Sequence, residues 1–496
     1  MDRTPAVDAE LARLLSIADA RDVAASDAET SASGADGDGA LYLREVANRA
    51  RAAHDAVRAL VESAPSSSSK PRGPLAIPRV RCETLSLARF RRDFVIPQRP
   101  VIIVGLGPHL TSDGANASDL RWLRKHGASK KVAVSVDNAH VASTLSCGGV
   151  EIVNLGDHLD VVSALDEDPP VNERDARFGK RRGDGSYLYD CAIPLKLPSL
   201  SHGVRVPRYF AHDFLQRTRM THAFSASWPS LFVAAPHTRS SLHVDQWKGN
   251  FWMAMVKGTK RWTLFHREDI PFLSPDYGRG TLDPGFPSLV ELDASRVSAA
   301  NAATTTTRRG DGIGDSQKLD ADAAASSARE TETTHETPAS HPFLEYARRW
   351  DCDLGPGEVL FVPGGWPHHV HNLCVTVSFA GNFVDEVRSI HWSPYDRVGV
   401  VNASNLDDAL FDMKLLGNKY GPQMMATHDA LDEVWFDPED ETLVEETLEA
   451  KQLVVRVEDY RGGVASRWGK DDWDGATSDD DDDDDDGGGG GGGDGG

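Results

Sequence analysis

No Cys-x-x-Cys pair occurs anywhere in the chain, and its five cysteines (Cys82, Cys147, Cys191, Cys352, Cys374) are scattered. That spacing argues against a zinc ribbon or a disulfide framework and leaves buried reduced thiols as the expectation. Long apolar runs are also missing, so no transmembrane helix is expected. The opening "MDRTPAVDAE" is acidic and polar where a secretory leader needs a basic start and an apolar stretch. The expectation is an intracellular protein, in nucleus or cytoplasm; "KRR" at Lys180 to Arg182 is too short a basic cluster to choose between them.

Positive charge is in short supply. The formal charge is −23, of which the segment from Lys470 to Gly496 contributes −11 and the remaining chain −12. A body of that sign disfavours direct nucleic-acid binding, which needs clustered Lys and Arg, and is compatible with a basic protein partner. Large apolar residues are scarce from Arg296 to Ser340, where only Val297, Ile313 and Leu319 occur. Such a segment cannot bury enough surface to offset its ordering entropy, so a disordered insertion is expected there. The end, "SDDDDDDDDGGGGGGGDGG", reads as a disordered acidic and glycine-rich tail.

What remains supports a sizeable core, with 40% hydrophobic residues. The reading divides the chain into an N-terminal helical or disordered extension (1–78), a globular body (79–388) carrying the insertion (296–340), a C-terminal helical region (389–463) and the tail (464–496). "LYLREVANRARAAHDAVRALVE" (Leu41 to Glu62) has apolar residues at helical spacing. "SDLRWLRKHG" reads as a short helix capped by Ser118 or Asp119 and closed by Gly127. "KKVAVSVD", "FWMAMV", "KRWTLF" and "CVTVSFAGNF" read as strands.

Two clusters carry chemistry. In "SLHVDQWKGN", His243 and Asp245 stand two residues apart, so on an extended segment both side chains point one way. His266-Arg-Glu268 repeats the pattern, but its context is that of a surface turn. After the Lys-Gly-Thr turn, Lys260 shares a strand face with Trp262 and Leu264, which sets a cation among core-facing side chains. The second cluster, "GPGEVLFVPGGWPHHVHNL", places His368 on one strand face and His369 and His371 on the other, and only one face can look inward. Two histidines and a carboxylate form the facial triad of non-haem Fe(II) oxygenases, and a buried cation would hold a carboxylate of a bound 2-oxo acid.

These segments resemble the JmjC (jumonji C) 2-oxoglutarate oxygenases, within the JmjC-only group of arginine demethylase/lysyl hydroxylase (phosphatidylserine-receptor-like) proteins. The likeness runs from about Phe90 to Phe383. It implies a mainly β fold with flanking helices, built on a double-stranded β-helix (a cupin-like jelly roll). It implies Fe(II) held by His243, Asp245 and His368, with His369 the fallback. It further implies 2-oxoglutarate anchored by Lys260, Tyr187, Ser240 and Asn382, with O₂ as co-reactant. Met253 and Ala380 depart from the family pattern, standing where an asparagine and a threonine would be. The implied activity is hydroxylation of a protein side chain, lysyl or arginyl. The alternatives are N-methyl demethylation by the same chemistry and a non-catalytic cupin-like scaffold. No Cys/His chromatin-reader framework accompanies the motifs.

Overall fold

The structure, a computed structural model, describes residues 4–31, 37–63, 73–112, 118–135, 150–167, 186–211, 213, 215, 227–277, 282–292, 341–385, 388–391, 401–404 and 453–457. The expected insertion and tail lie outside these residues, as does most of 389–463. No helix among them is long and apolar enough to cross a membrane.

The N-terminal region forms two helices, α1 (Pro5–Ser31) and α2 (Gly37–Glu62). The second matches the expected periodicity. The first was not legible, because its buried stripe relies on small residues: Val7, Leu14, Ala18 and Ala25 are all fully buried. Alanines at Ala50 and Ala53 of α2 let the two helices approach closely, and the pair packs on Tyr277, Leu282 and Phe343 of the body. Arg13 and Arg49 fasten it by donating to the carbonyls of Pro275 and Leu282, each at 3.0 Å.

The body begins with β1 (Leu75–Ala76), β2 (Arg79–Arg81), α3 (Leu87–Phe90) and β3 (Val101–Val104). Next come α4 (Leu120–Gly127), β4 (Lys131–Ser135), β5 (Val150–Asn154), α5 (Leu155–Glu167), β6 (Tyr187–Ala192) and β7 (Arg205–Pro207). Asp119 caps α4 by accepting from Arg121 N–H at 2.9 Å. Then follow β8 (Ser230–Ala234), β9 (Arg239–His243), β10 (Asn250–Lys257) and β11 (Lys260–Phe265). After residue 341 come β12 (Arg349–Leu354), β13 (Val359–Val362), β14 (His368–Asn372) and β15 (Thr376–Phe383).

All of these strands except β7 make two facing sheets, ordered β1-β12-β11-β14-β9 and β2-β3-β13-β10-β15-β8-β6-β4-β5. The fold is a double-stranded β-helix, the jelly roll of the cupins. Alternation along each strand sorts side chains between two cores. Phe251, Met253 and Met255 of β10 face Trp262 and Leu264 of β11 across the barrel interior. Trp252 and Ala254 point outward beneath α3–α5, with Phe210, Phe361 and Phe379. Gly258, at φ +73, makes the β10–β11 turn where a Cβ would collide with the Val375 carbonyl oxygen.

Past the barrel, β16 (Arg388–His391) pairs with β17 (Val401–Ser404), and β18 (Val454–Arg456) pairs with β7. These short segments depart from the helical expectation for 389–463. The β-branched run in "LVVRV" supplies the strand at β18, where a partner edge is available.

Candidate metal centre

The three residues of the motif reading converge. One ligand atom from each of His243, Asp245 and His368 lies within 4.8 Å of the other two. Asp245 Oδ1 is 3.6 Å from His243 Nε2 and 3.8 Å from His368 Nε2. The imidazoles come from the last residue of β9 and the first of β14, which are cross-strand partners. Asp245 differs in one respect from the extended reading: it lies just past β9, at the entry to a turn. Trp247 and Lys248, at φ 54° and 51°, swing the chain out of the sheet there.

Both rings have a defined tautomer. His243 Nδ1 is 2.6 Å from the Ser241 carbonyl, and His368 Nδ1 is 3.0 Å from the Trp366 carbonyl. A carbonyl only accepts, so each Nδ1 carries the proton and each Nε2 keeps its lone pair. The carboxylate is oriented as well. Asn382 donates to Asp245 Oδ2 at 3.0 Å, which leaves Oδ1 facing the two imidazoles. The turn that delivers His368 is itself tied down, with Gly364 N–H donating to Asn250 Oδ1 at 2.9 Å. Burial, and then the neighbouring His368, lower the pKa of His243, so it stays neutral and able to ligate. Donor set, tautomers and convergence all fit a divalent iron bound on one face.

His369 is on the opposite strand face from His368. Burial drives its pKa down to about 3. His266, from the second His-x-Glu, caps a 3-10 turn by accepting from Glu268 N–H and packs edge-on against Trp366 at 4.8 Å. It is a structural residue.

Deeper in the barrel, Lys260 is wholly buried. Its Nζ donates to the Tyr187 hydroxyl at 3.3 Å and lies 5.2 and 5.5 Å from the ring centres of Tyr187 and Phe232. No carboxylate pairs with it among the described residues. Burial lowers its pKa from 10.5 to about 7. Tyr187 is raised to about 12 by burial, against hydrogen bonds with Ser240 and Asn372. An unpaired buried ammonium is costly by itself and favours an anion beside it, so the residues present fit a dicarboxylic 2-oxo acid reaching from the triad to Lys260.

Two of the expected cosubstrate residues hold other positions in this geometry. Ser240 reaches Tyr187, and Asn382 reaches Asp245. Sequence reasoning also passed over Asn250, Asn372 and Asp190. Asn372 could have been found from its parity with His368 on β14. Asp190 could not, because it depends on a break in register between β6 and β8 and on a backbone φ of 47°. Its side chain is exposed, yet surrounding protein desolvates it and raises its pKa, and the charge of Asp245 adds to this.

The family model described as "Cupin-like domain" matches residues 87–388, more than half of the chain. The chain belongs to the cupin-like domain family. Among curated relatives, this cupin-like protein is 25% identical over 321 residues to the bifunctional arginine demethylase and lysyl-hydroxylase psr-1 of Caenorhabditis briggsae. The match covers 64% of this chain and 63% of that protein. The Caenorhabditis elegans psr-1 is also 25% identical, over 322 residues, with the same two coverages. The arginine-specific demethylase JMJ22 of Arabidopsis thaliana is 23% identical over 253 residues, covering 49% of this cupin-like chain and 39% of its own length. The chain thus spans just under two thirds of the psr-1 proteins. The JmjC likeness read from the two motif clusters is borne out.

Proposed function

We propose that the protein is an Fe(II)- and 2-oxoglutarate-dependent dioxygenase that hydroxylates a lysyl or arginyl side chain of a protein substrate. The observation that carries this reading is the set of two Nε2 lone pairs and one Oδ1 turned toward a common point. His243, His368 and Asp245 would hold the metal, their outer atoms fixed by Ser241, Trp366 and Asn382. Lys260 and Tyr187 would bind the distal carboxylate of 2-oxoglutarate. Iron with 2-oxoglutarate and O₂ supplies the oxidising power to functionalise an unactivated C–H bond. Phe251, Met253, Met255 and Trp262 wall the interior with apolar surface, which excludes water from the reacting centre.

Asp190 favours a basic substrate. It is exposed near the charge of Asp245 and has no cationic partner among the described residues, so an incoming ammonium or guanidinium would find a carboxylate there. The psr-1 relatives bear names for both lysyl hydroxylation and arginine demethylation, so demethylation is the second reading. In both, the same residues hold metal and cosubstrate.

Anaerobic titration of the protein with Fe(II) and 2-oxoglutarate tests the proposal. A visible charge-transfer band that needs both components is expected. Its absence, with iron bound or unbound, would leave a cupin-like scaffold. Incubation with cell extract followed by peptide mass spectrometry separates the two reactions: gain of one oxygen marks hydroxylation, and loss of a methylene's mass marks demethylation.

A further inference from the structure

Strand β15 runs between the two halves of the site. Val377, Phe379 and Phe383 point into the outer core, so Thr376, Ser378, Ala380 and Asn382 face the barrel interior. At one end Asn382 donates to the triad carboxylate. At the other, Thr376 donates to Asn372 at 2.9 Å, and Asn372 is the cross-strand neighbour of Lys260. Ser378 and Ala380 therefore lie between the triad and the buried lysine. Both are fully buried, and Ala380 has no polar side-chain atom to offer. Ser378 is paired across the sheet with Phe232, the residue whose ring lies 5.5 Å from Lys260 Nζ.

The Ser378 hydroxyl is buried with no hydrogen-bond partner. Of the neighbouring hydroxyls on the strands around Lys260, Thr376 is satisfied by Asn372, Ser230 by the Ser227 carbonyl and Ser240 by Tyr187, while Ser241 Oγ, on β9 beside His243, is likewise buried without a partner. A buried unpaired hydroxyl is destabilising, and alanine would fill this strand position without that penalty. The departures at Met253 and Ala380 leave the interior without the amide and hydroxyl that the family resemblance implies at those positions.

We infer that Ser378 Oγ donates a hydrogen bond to the distal carboxylate of the 2-oxo acid anchored by Lys260, one pleat along β15 from the position where the resemblance implies a hydroxyl. The inference rests on the proposed cosubstrate. It makes Ser378 a cosubstrate-binding residue, and explains how the site holds a dicarboxylate with Met253 and Ala380 in place.

The test is calorimetric titration of the Fe(II)-loaded protein under argon with 2-oxoglutarate, and with 2-oxovalerate, which keeps the 2-oxo acid but lacks the distal carboxylate. Ser378→Ala should weaken 2-oxoglutarate binding by roughly 10-fold to 100-fold, as loss of a hydrogen bond to a charged group does. It should leave 2-oxovalerate and Fe(II) affinity essentially unchanged, and should raise the melting temperature of the 2-oxoglutarate-free protein by relieving the unpaired hydroxyl. Unchanged 2-oxoglutarate affinity in Ser378→Ala, while Lys260→Met loses it, overturns this inference alone. An equal loss for both acids also overturns it, since that marks a general disturbance of the pocket. Failure of the unaltered protein to bind 2-oxoglutarate sinks the proposed function and this inference with it.

Discussion

Replacing Lys260 with methionine should make the ligand-free protein more stable while abolishing its grip on 2-oxoglutarate. Methionine is close in length and leaves little cavity, so the change is mainly the removal of a buried charge. Burial holds the Lys260 pKa at about 7 instead of 10.5, and Nζ has only the Tyr187 hydroxyl as a neutral partner. At about 1.4 kcal/mol per pKa unit, this costs the fold roughly 3–5 kcal/mol wherever the lysine is protonated in both states. The sign follows from proton counting. Below pH 7 folded and unfolded chains both carry the proton, and the full penalty applies. Between about 7 and 10.5 only the unfolded chain binds it, so the stability of the unaltered protein rises with pH. Urea denaturation should therefore show Lys260→Met more stable by roughly 3–5 kcal/mol near pH 6, with the advantage falling to about 2 kcal/mol near pH 9. A variant less stable at pH 6, or an advantage equal at the two pH values, would refute the reasoning.

Further outcomes follow from other contacts. Asn382→Leu removes the donor to Asp245 Oδ2 and should lower Fe(II) affinity by roughly 10-fold to 100-fold, measured by anaerobic equilibrium dialysis, with little change in fold. His368→Ala should lose bound iron while His369→Ala keeps it; the reverse result would move the ligand to the other strand face. Gly258→Ala, at φ +73 against the Val375 carbonyl, should cost at least roughly 1–3 kcal/mol in denaturant titration. Removing residues 1–63 bares Tyr277, Leu282 and Phe343, and should lower the melting temperature and raise dye binding to apolar surface.

The shared face of Lys260, Trp262 and Leu264, and the opposition of His368 to His369, were readable because a strand's period of two leaves no freedom within one strand; which of the two histidines turns inward was implied only by the family resemblance. Convergence of the triad was not readable in that way, since it depends on the pairing of β14 with β9 and on the turn that carries Asp245. Nor were the roles of Asn382 and Ser240, since they depend on which atoms meet across strands far apart in sequence: Asn382 lies 137 residues from Asp245. Helix α1 escaped notice because alanine carries little hydrophobic contrast, although it packs well on a partner helix. Asp190 escaped because a β-bulge reverses the side to which the next residue points, and nothing in "GSYLYD" announces one.

Leu292 and Leu344, on either side of residues 293–340, are both buried in a single apolar cluster with Phe265, Leu273 and Ala347. The chain therefore departs from and returns to one anchored place. For a flexible segment tied between two such anchors, each doubling of length costs only about 0.6 kcal/mol of closure entropy. The fold thereby has a spot at which added length bears little on the placement of His243, Asp245 and His368. For the experimenter, the same spot is where a reporter domain or a second binding module is most safely spliced in.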